Sequence, residues 1–409
     1  MEGRLISPAQ AQRLVFGHCA PLGTVAVAID DSLGHVLAED VHARFPLPPF
    51  DNSAMDGYAV RSDDTRGASS RRPVRLAMTD PVFAGDVRRR VLRVGETSPI
   101  TTGAALPRGA DAIIPIEDAI VESRSLEVGH RVPRGRHVRR AGAEKGRGAL
   151  VLGRGSFVGP GAIACLATVG RARVRVIRKP RVSVIATGDE TVSPGQRLLR
   201  GQIYDSNTHA LAALLRAARV DPVRVRAVGD SAGALSNAVA AALNASDVLV
   251  VAGGVSVGER DLLRPTLGRL GVREVFWRVR QKPGKPLYFG VKGKKVVFGL
   301  PGNPASVYTC FCVYVYPALK KLSGVRLFGL PVEERRLEGA VERDAARWRF
   351  LKAAVSPKGR VAVLPGQASH MVVSLARTDR LIVVPPGSGS LAEGARVKTY
   401  RLPFEEVDG

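Results

Sequence analysis

The sequence predicts a multidomain protein with α/β and β parts, organised around a three-layer α/β domain with a mostly parallel sheet. Three observations predict it. From Pro180 onward, apolar runs alternate with helical stripes: RVSVIATGDE, IYDSNTHALAALLRAA, PVRVRAVGD, SAGALSNAVAAAL and DVLVVAGG. Such alternation marks strands joined by crossover helices in a parallel sheet. On either side of it, residues 62–139 and the chain after Leu322 hold short β-like runs broken by turns. At 409 residues the chain also exceeds a single ordinary core.

Hydrophobic residues make up 45% of the chain and aromatics only 5%, so Val, Leu, Ile and Ala must fill the interiors. The net charge is +24, from 61 basic and 37 acidic residues. The basic residues are spread thinly, with few aromatics among them for base stacking, so no nucleic-acid partner is expected. No apolar run approaches the ~20 residues needed to cross a bilayer. MEGRLISPAQAQRL lacks the apolar stretch of a signal peptide, and Cys19, Cys165, Cys310 and Cys312 form no CxxC pair. A cytoplasmic protein without a membrane partner is expected.

Taken in order, residues 1–45 open with a helix from Pro8 to Phe16. VAVAID follows as a strand, and SLGHVLAEDVHA as a short helix running into a strand. In PLPPFDNSAMDGYAVR, prolines forbid regular structure before Phe50. The shaped loop then presents Asp51, Asn52, Ser53 and Asp56, and Asp56 is the candidate for binding metal or substrate. The next runs, PVRLAM, VLRVG, DAIIPIEDAIVES and SLEVG, suggest an inserted α+β domain. Between them the hydroxyls of Thr101 and Thr102 could bind an anion. HVRRAGAEKGRG returns the chain through a basic loop carrying Arg139, Arg140 and Glu144.

The α/β part concentrates its chemistry at strand ends, where open parallel sheets bind ligands. Asp189 and Glu190 follow one strand, Asp230 another, and DVLVVAGGVSVGERD ends a third in Gly253, Gly254, Ser256, Gly258, Glu259 and Asp261. Glycines let the backbone approach a phosphate, and acids beside a phosphate need a divalent metal between them. Ser206 or Asn207 caps the helix after IYD. Lys282 and Lys285 bracket a Pro-Gly turn and can hold an anionic ligand as point charges. GLPGNPAS, with Pro301, Asn303 and Ser306, forms a second anion cradle before a helix from Ala305 to Leu322. The strands FLKAAVS, RVAVLP, RLIVVPP and ARVKTYRL suggest a closing β-barrel.

PPFDNSAMDGYAVR, ITTGA, TGDE, AGGVSVGERD, KPGKP and GLPGNPAS, in this order, resemble the MoeA family of molybdopterin molybdenumtransferases, related to the gephyrin E domain. The resemblance runs from about Ala11 to Phe404. It implies an extended β domain at residues 1–45 and 140–178, an inserted domain at 46–139, a molybdopterin-binding α/β domain at 179–323 and a C-terminal β-barrel at 324–409. It also implies an elongated homodimer. The implied activity inserts molybdate into adenylylated molybdopterin with a divalent cation (Mg2+), giving molybdenum cofactor and AMP. Asp56, Thr102, Glu190, Asp230 and Asp261 would be the catalytic positions, with Glu190, Asp261 and Asp56 holding metal. Arg347 or Lys352 would add a basic contact. Molybdopterin adenylyltransferase and molybdoenzyme apo-proteins would be partners.

Two positions depart from the family pattern: Glu144 stands where an aspartate is usual, and Arg278 where a lysine is frequent. Both keep their charge. The rival class is a scaffold of the same fold that binds molybdopterin and delivers cofactor to partners. A scaffold could lose Asp56, Glu190 or Asp261, and this chain keeps all three.

Overall fold

The computed structural model describes residues 5–88, 90–229, 231–256 and 262–403. The chain forms two compact units. One comprises Met1–Val27, Gly34–Ala38 and Arg175–Gly409; the other comprises Ala28–Leu33 and Glu39–Val174.

The first unit is built on a six-stranded sheet in the order Pro222–Val228, Val182–Thr187, Val248–Ala252, Lys295–Leu300, Tyr288–Lys292 and Arg273–Trp277. The first four run parallel, and the hairpin around Lys292–Lys295 makes Tyr288–Lys292 antiparallel to its neighbours. Alternate side chains of one strand enter opposite cores, as the period of two requires. Val182, Val184, Val248 and Val250 pack with Leu211, Leu215 and Phe311 on one face. Ile185, Leu249 and Val251 pack with Leu235, Val239 and Leu267 on the other. Helices thus cover both faces, and the strand ends at Thr187, Ala252 and Leu300 share one rim.

Three local expectations change. The helix expected from Ala305 to Leu322 is Pro304–Cys310 and Tyr316–Leu322 joined by a π-turn at Phe311–Val315. Pro317 has no N–H for the preceding turn, and its ring crowds the carbonyl four residues back, so the register widens there. The helix Asn207–Ala217 is capped neither by Ser206, which is itself helical, nor by Asn207. Asp205 does it, accepting the Thr208 N–H at 3.0 Å. The short helix expected at the start of SLGHVLAEDVHA does not form: the 3-10 turn Asp30–Ser32 ends at its first residue, and Gly34 takes a φ of 78°.

The chain then closes a five-stranded barrel. Trp348–Val355, Val361–Val363, Val332–Glu338, Arg396–Arg401 and Arg380–Val384 follow one another around it, and the last pairs back to the first. Leu337, Leu351, Ile382, Val384 and Val397 fill its core. The strand Val332–Glu338, VEERRLE, escaped the sequence reading because its charges hide the alternation. A short strand at Gln281–Lys282 pairs with the start of Trp348–Val355, tying the KPGKP turn to the barrel.

The second unit contains a six-stranded sheet in the order Ala112–Pro115, Gly57–Val60, Glu96–Ile100, Val74–Met78, Ser125–Val128 and Ile120–Glu122. VLRVG is not a strand. Gly95 turns at φ 77°, donating its N–H to Asp64 at 2.9 Å, and the strand starts at Glu96. Among the described residues the one α-helix of this unit, Pro160–Thr168, lies outside the inserted stretch.

Candidate functional site

The rim of the parallel sheet encloses a cavity of about 810 Å³. Ten of the sequence-selected residues line it together: Glu190, Gly253, Gly254, Ser256, Lys282, Lys285, Pro301, Asn303, Ser306 and Arg347. Asp230, Gly258, Glu259 and Asp261 lie outside the described residues.

Gly253 and Gly254 both take left-handed φ, 99° and 67°. At Gly253 the requirement is packing as much as ligand approach: a Cβ there would lie 2.5 Å from Thr187 Oγ1. Its N–H donates to Leu300 O at 2.9 Å, joining two strand ends. Beyond it, Val255 is buried, and its carbonyl accepts the Trp277 indole N–H at 2.9 Å. The guanidinium of Arg264 lies 3.7 Å from the Trp277 ring centroid and that of Arg278 lies 4.0 Å from it. The arginine that departs from the family pattern therefore stacks on an aromatic ring, which a guanidinium does better than an ammonium. Together these contacts fix the glycine turn.

The KPGKP turn is held from below by Gln281, which is fully buried. Its amide nitrogen donates to Pro283 O at 3.1 Å and Gly284 O at 3.3 Å, and the Tyr314 hydroxyl donates to its oxygen. Gly284 has no room for a side chain, since a Cβ would lie 2.4 Å from Cys310 Sγ. Lys282 and Lys285 are exposed at the cavity wall, and among the described residues neither ammonium has an ion-pair partner.

The Glu190 carboxylate folds back over Gly188, 2.7 Å from where a Cβ would stand, so that glycine is what lets it sit there. Asp189 does not line the cavity; it packs at Gly229. Of the two basic candidates from the barrel, Arg347 reaches the cavity, paired to Asp344 at 2.8 Å. That guanidinium, with the Ala346 N–H, holds the Asp344 carboxyl below the usual range. Lys352 is buried instead, and its ammonium donates to the carbonyls of Gly366 and Met371. Burial lowers its pKa, and its role is to fasten the loop.

That loop was missed. Gln367, Ser369 and His370 line the cavity. Asn303 Nδ2 donates to Ser369 Oγ at 2.9 Å, and the Ala305 N–H donates to Ser369 O at 3.0 Å. The Asn303 side chain, expected to face ligand, is thus spent at least partly on docking the barrel. Asn207 was considered only as a cap. It donates to Gly302 O at 2.7 Å, and its Oδ1 is buried without a hydrogen-bond partner among the described residues.

In the second unit, Asp56 and Thr102 meet directly. Thr102 donates its N–H to Asp56 Oδ1 at 2.6 Å and its hydroxyl to the same oxygen at 2.9 Å. The N–H and then the hydroxyl hold the Asp56 carboxyl below the usual range. The neighbouring acceptors are committed elsewhere. Asp51 accepts from the Ala141 N–H at 2.8 Å and Arg140 at 2.6 Å, which lowers its pKa. Ser53 donates to Met55 O and Asn52 to Phe50 O. Arg140, from the basic loop, is therefore neutralised by Asp51. Glu144 is exposed, and its N–H donates to Leu47 O at 2.9 Å.

Among the described residues no group of three or more His, Cys, Asp or Glu side chains could hold a metal. Glu190 is nevertheless an oxygen donor of the kind magnesium takes, beside cationic walls suited to phosphate; one or two carboxylates plus phosphate oxygens make up such a site. All four cysteines are free, and burial pushes the Cys19 and Cys310 thiols up to about 12, far from a nucleophile's range. No helix among the described residues is long and apolar enough to cross a membrane.

A parallel sheet whose strand-end turns present glycines, lysines and a carboxylate to one cavity defines an α/β protein that binds anionic ligands, and residues 183–321 match the family model of a probable molybdopterin binding domain. Residues 6–170 match the MoeA N-terminal region (domain I and II), and residues 334–402 the MoeA C-terminal region (domain IV). The chain belongs to the MoeA family. A molybdopterin molybdenumtransferase of Staphylococcus epidermidis is 31% identical over 407 residues, covering 98% of this chain and 97% of that protein. One of Staphylococcus aureus is 32% identical over 389 residues, covering 94% and 93%. The crystal structure of a molybdopterin biosynthesis MoeA protein from Pyrococcus horikoshii matches at 32% identity with a TM-score of 0.83, covering 97% of this chain and 99% of that one.

Proposed function

We propose that this protein is a molybdopterin molybdenumtransferase, inserting molybdate into adenylylated molybdopterin with release of AMP. The observation that carries the reading is the shared cavity of about 810 Å³, where two unpaired lysines, two glycine turns, a carboxylate and an arginine converge. The substrate brings a pyrophosphate and a dithiolene, and molybdate is a dianion, so the site must hold several negative charges together. Lys282, Lys285 and the amides of the Gly254–Ser256 stretch hold phosphate oxygens, and Arg347 adds a cation from the barrel. Molybdate and tungstate, both tetrahedral dianions, suit this set equally.

Magnesium, held by Glu190 and Asp261, would neutralise the pyrophosphate and make AMP a better leaving group. Asp56, kept ionised by Thr102, joins the site from a second copy of the chain, so that the working unit is a homodimer. No covalent nucleophile is needed, in keeping with a cavity lined by no cysteine among the described residues. The setting is cytoplasmic, with molybdopterin adenylyltransferase supplying substrate and molybdoenzyme apo-proteins receiving product. The full-length homology to named transferases gives no support to a pure scaffold. Incubating the purified protein with adenylylated molybdopterin, molybdate and magnesium should release AMP and activate an apo-molybdoenzyme. No AMP release under these conditions would refute the assignment.

A further inference from the structure

The same parallel strands that carry the cavity at their C-terminal ends enclose a second cavity, of about 450 Å³, at their N-terminal ends. Arg178, Lys179 and Arg181 precede the strand Val182–Thr187, Asp247 precedes Val248–Ala252, and Lys295 opens Lys295–Leu300; all five line it. Four cations thus face one carboxylate. That carboxylate is fully engaged: Asp247 accepts both guanidinium nitrogens of Arg178, at 2.7 and 2.8 Å, and the Arg181 N–H at 2.8 Å. Lys295 spends its donors on the carbonyls of Leu243, Asn244 and Ser246, which are neutral and leave its charge uncompensated.

Lys179 and Arg181 have no side-chain hydrogen bond or ion pair among the described residues. Lys179 is half-buried; burial and the charge of Arg219 lower its pKa, with the Asp221 carboxylate opposing them, and Lys320 is lowered by burial, Arg219 and Lys179. Four cations lining one cavity against a single, already engaged carboxylate leave positive charge that an anion spanning Lys179 and the exposed Arg181 would compensate.

We propose that this cavity is a second anion site, separate from the catalytic cavity, that takes a diphosphate group through Lys179 and Arg181. Arg178, locked by Asp247, forms its rigid wall, and the surplus of three positive charges favours a multivalent anion over a monovalent one. Free pyrophosphate and the diphosphate end of a nucleotide share this chemistry.

The test uses the full chain carrying Lys282→Ala and Lys285→Ala, which weakens phosphate binding in the catalytic cavity. Calorimetry at low ionic strength should show inorganic pyrophosphate binding to this parent, and adding Lys179→Ala with Arg181→Ala should weaken it by about tenfold to a hundredfold. Arg224→Ala with Arg226→Ala, on the exposed strand Pro222–Val228, removes the same charge and serves as the control. Loss for both pyrophosphate and ADP marks the bare diphosphate as ligand; loss for ADP alone marks a nucleoside diphosphate. No binding of either probe to the parent, no loss of either probe in the Lys179/Arg181 variant, or equal loss in the control overturns the proposal. Thermal melting checks that the variants fold. In the otherwise native chain, Lys179→Ala with Arg181→Ala should leave AMP release unchanged when neither probe is added.

Discussion

Thr102 offers two donors to one oxygen of Asp56, its N–H at 2.6 Å and its hydroxyl at 2.9 Å. A carboxylate so held is ionised well into the acid range, because both bonds favour the charged form.

Thr102→Val keeps the N–H and removes the hydroxyl, so the Asp56 titration should move up toward the ordinary carboxylate value. Since the folded-state pKa is depressed, the stabilisation from this pair is present above the unfolded value and lost as pH falls through the folded one. Carboxyl carbon NMR on labelled protein reads the midpoint directly. An unchanged midpoint would show that the hydroxyl contributes nothing.

Glu190→Ala should abolish AMP release at saturating magnesium, and Asp261→Ala should do the same, with circular dichroism unchanged. Near-normal turnover in either would remove that residue from the metal assignment.

Lys285 stands exposed at the cavity wall on a turn anchored by buried Gln281. Lys285→Ala should weaken binding of adenylylated molybdopterin by about 1.5–3 kcal/mol, the range for hydrogen bonds to charged groups. An unchanged dissociation constant would make the turn a solvated charge pair.

Trp277→Phe preserves a ring between Arg264 and Arg278 but leaves the Val255 carbonyl without its donor. The expected cost is about 1–3 kcal/mol, the penalty for a buried acceptor left unsatisfied. Substrate affinity should fall with it, because the turn that loses its anchor lines the cavity. Full affinity in a less stable variant would confine Trp277 to folding.

If the site is completed by a second copy, mixing Asp56→Ala chains with Glu190→Ala chains should restore activity. Random exchange gives about a quarter of wild-type sites when each dimer has two. Parents that stay inactive after verified subunit exchange would place the site within one chain.

The cavity was legible in the sequence because its walls are strand ends, where glycine, proline and short polar residues signal a turn locally. Ten of its residues could be named from GG, KPGKP, GLPGNPAS and the MoeA resemblance. Ser369 and His370 could not, because they reach the cavity only when the barrel loop docks on Asn303, a contact spanning 66 residues with no periodicity to announce it. Local competition misled the reading in smaller ways. Asp205 outcompeted Ser206 as a cap, and Pro317 turned one helix into two. The pairing of Asp56 with Thr102 required two turns 46 residues apart to meet, which neither loop reveals alone.

The pairing of Gln281–Lys282 with Trp348–Arg349 gives the barrel a mechanical part in shaping the cavity. The backbone carrying Lys282 is stitched to the same barrel strand whose first residues follow Arg347, so both cations ride on a common strut. A displacement of the barrel is therefore transmitted to two walls of the cavity at once. Cutting the chain before the barrel would leave the KPGKP turn hanging from a single side, without the barrel arginine that lines the same cavity.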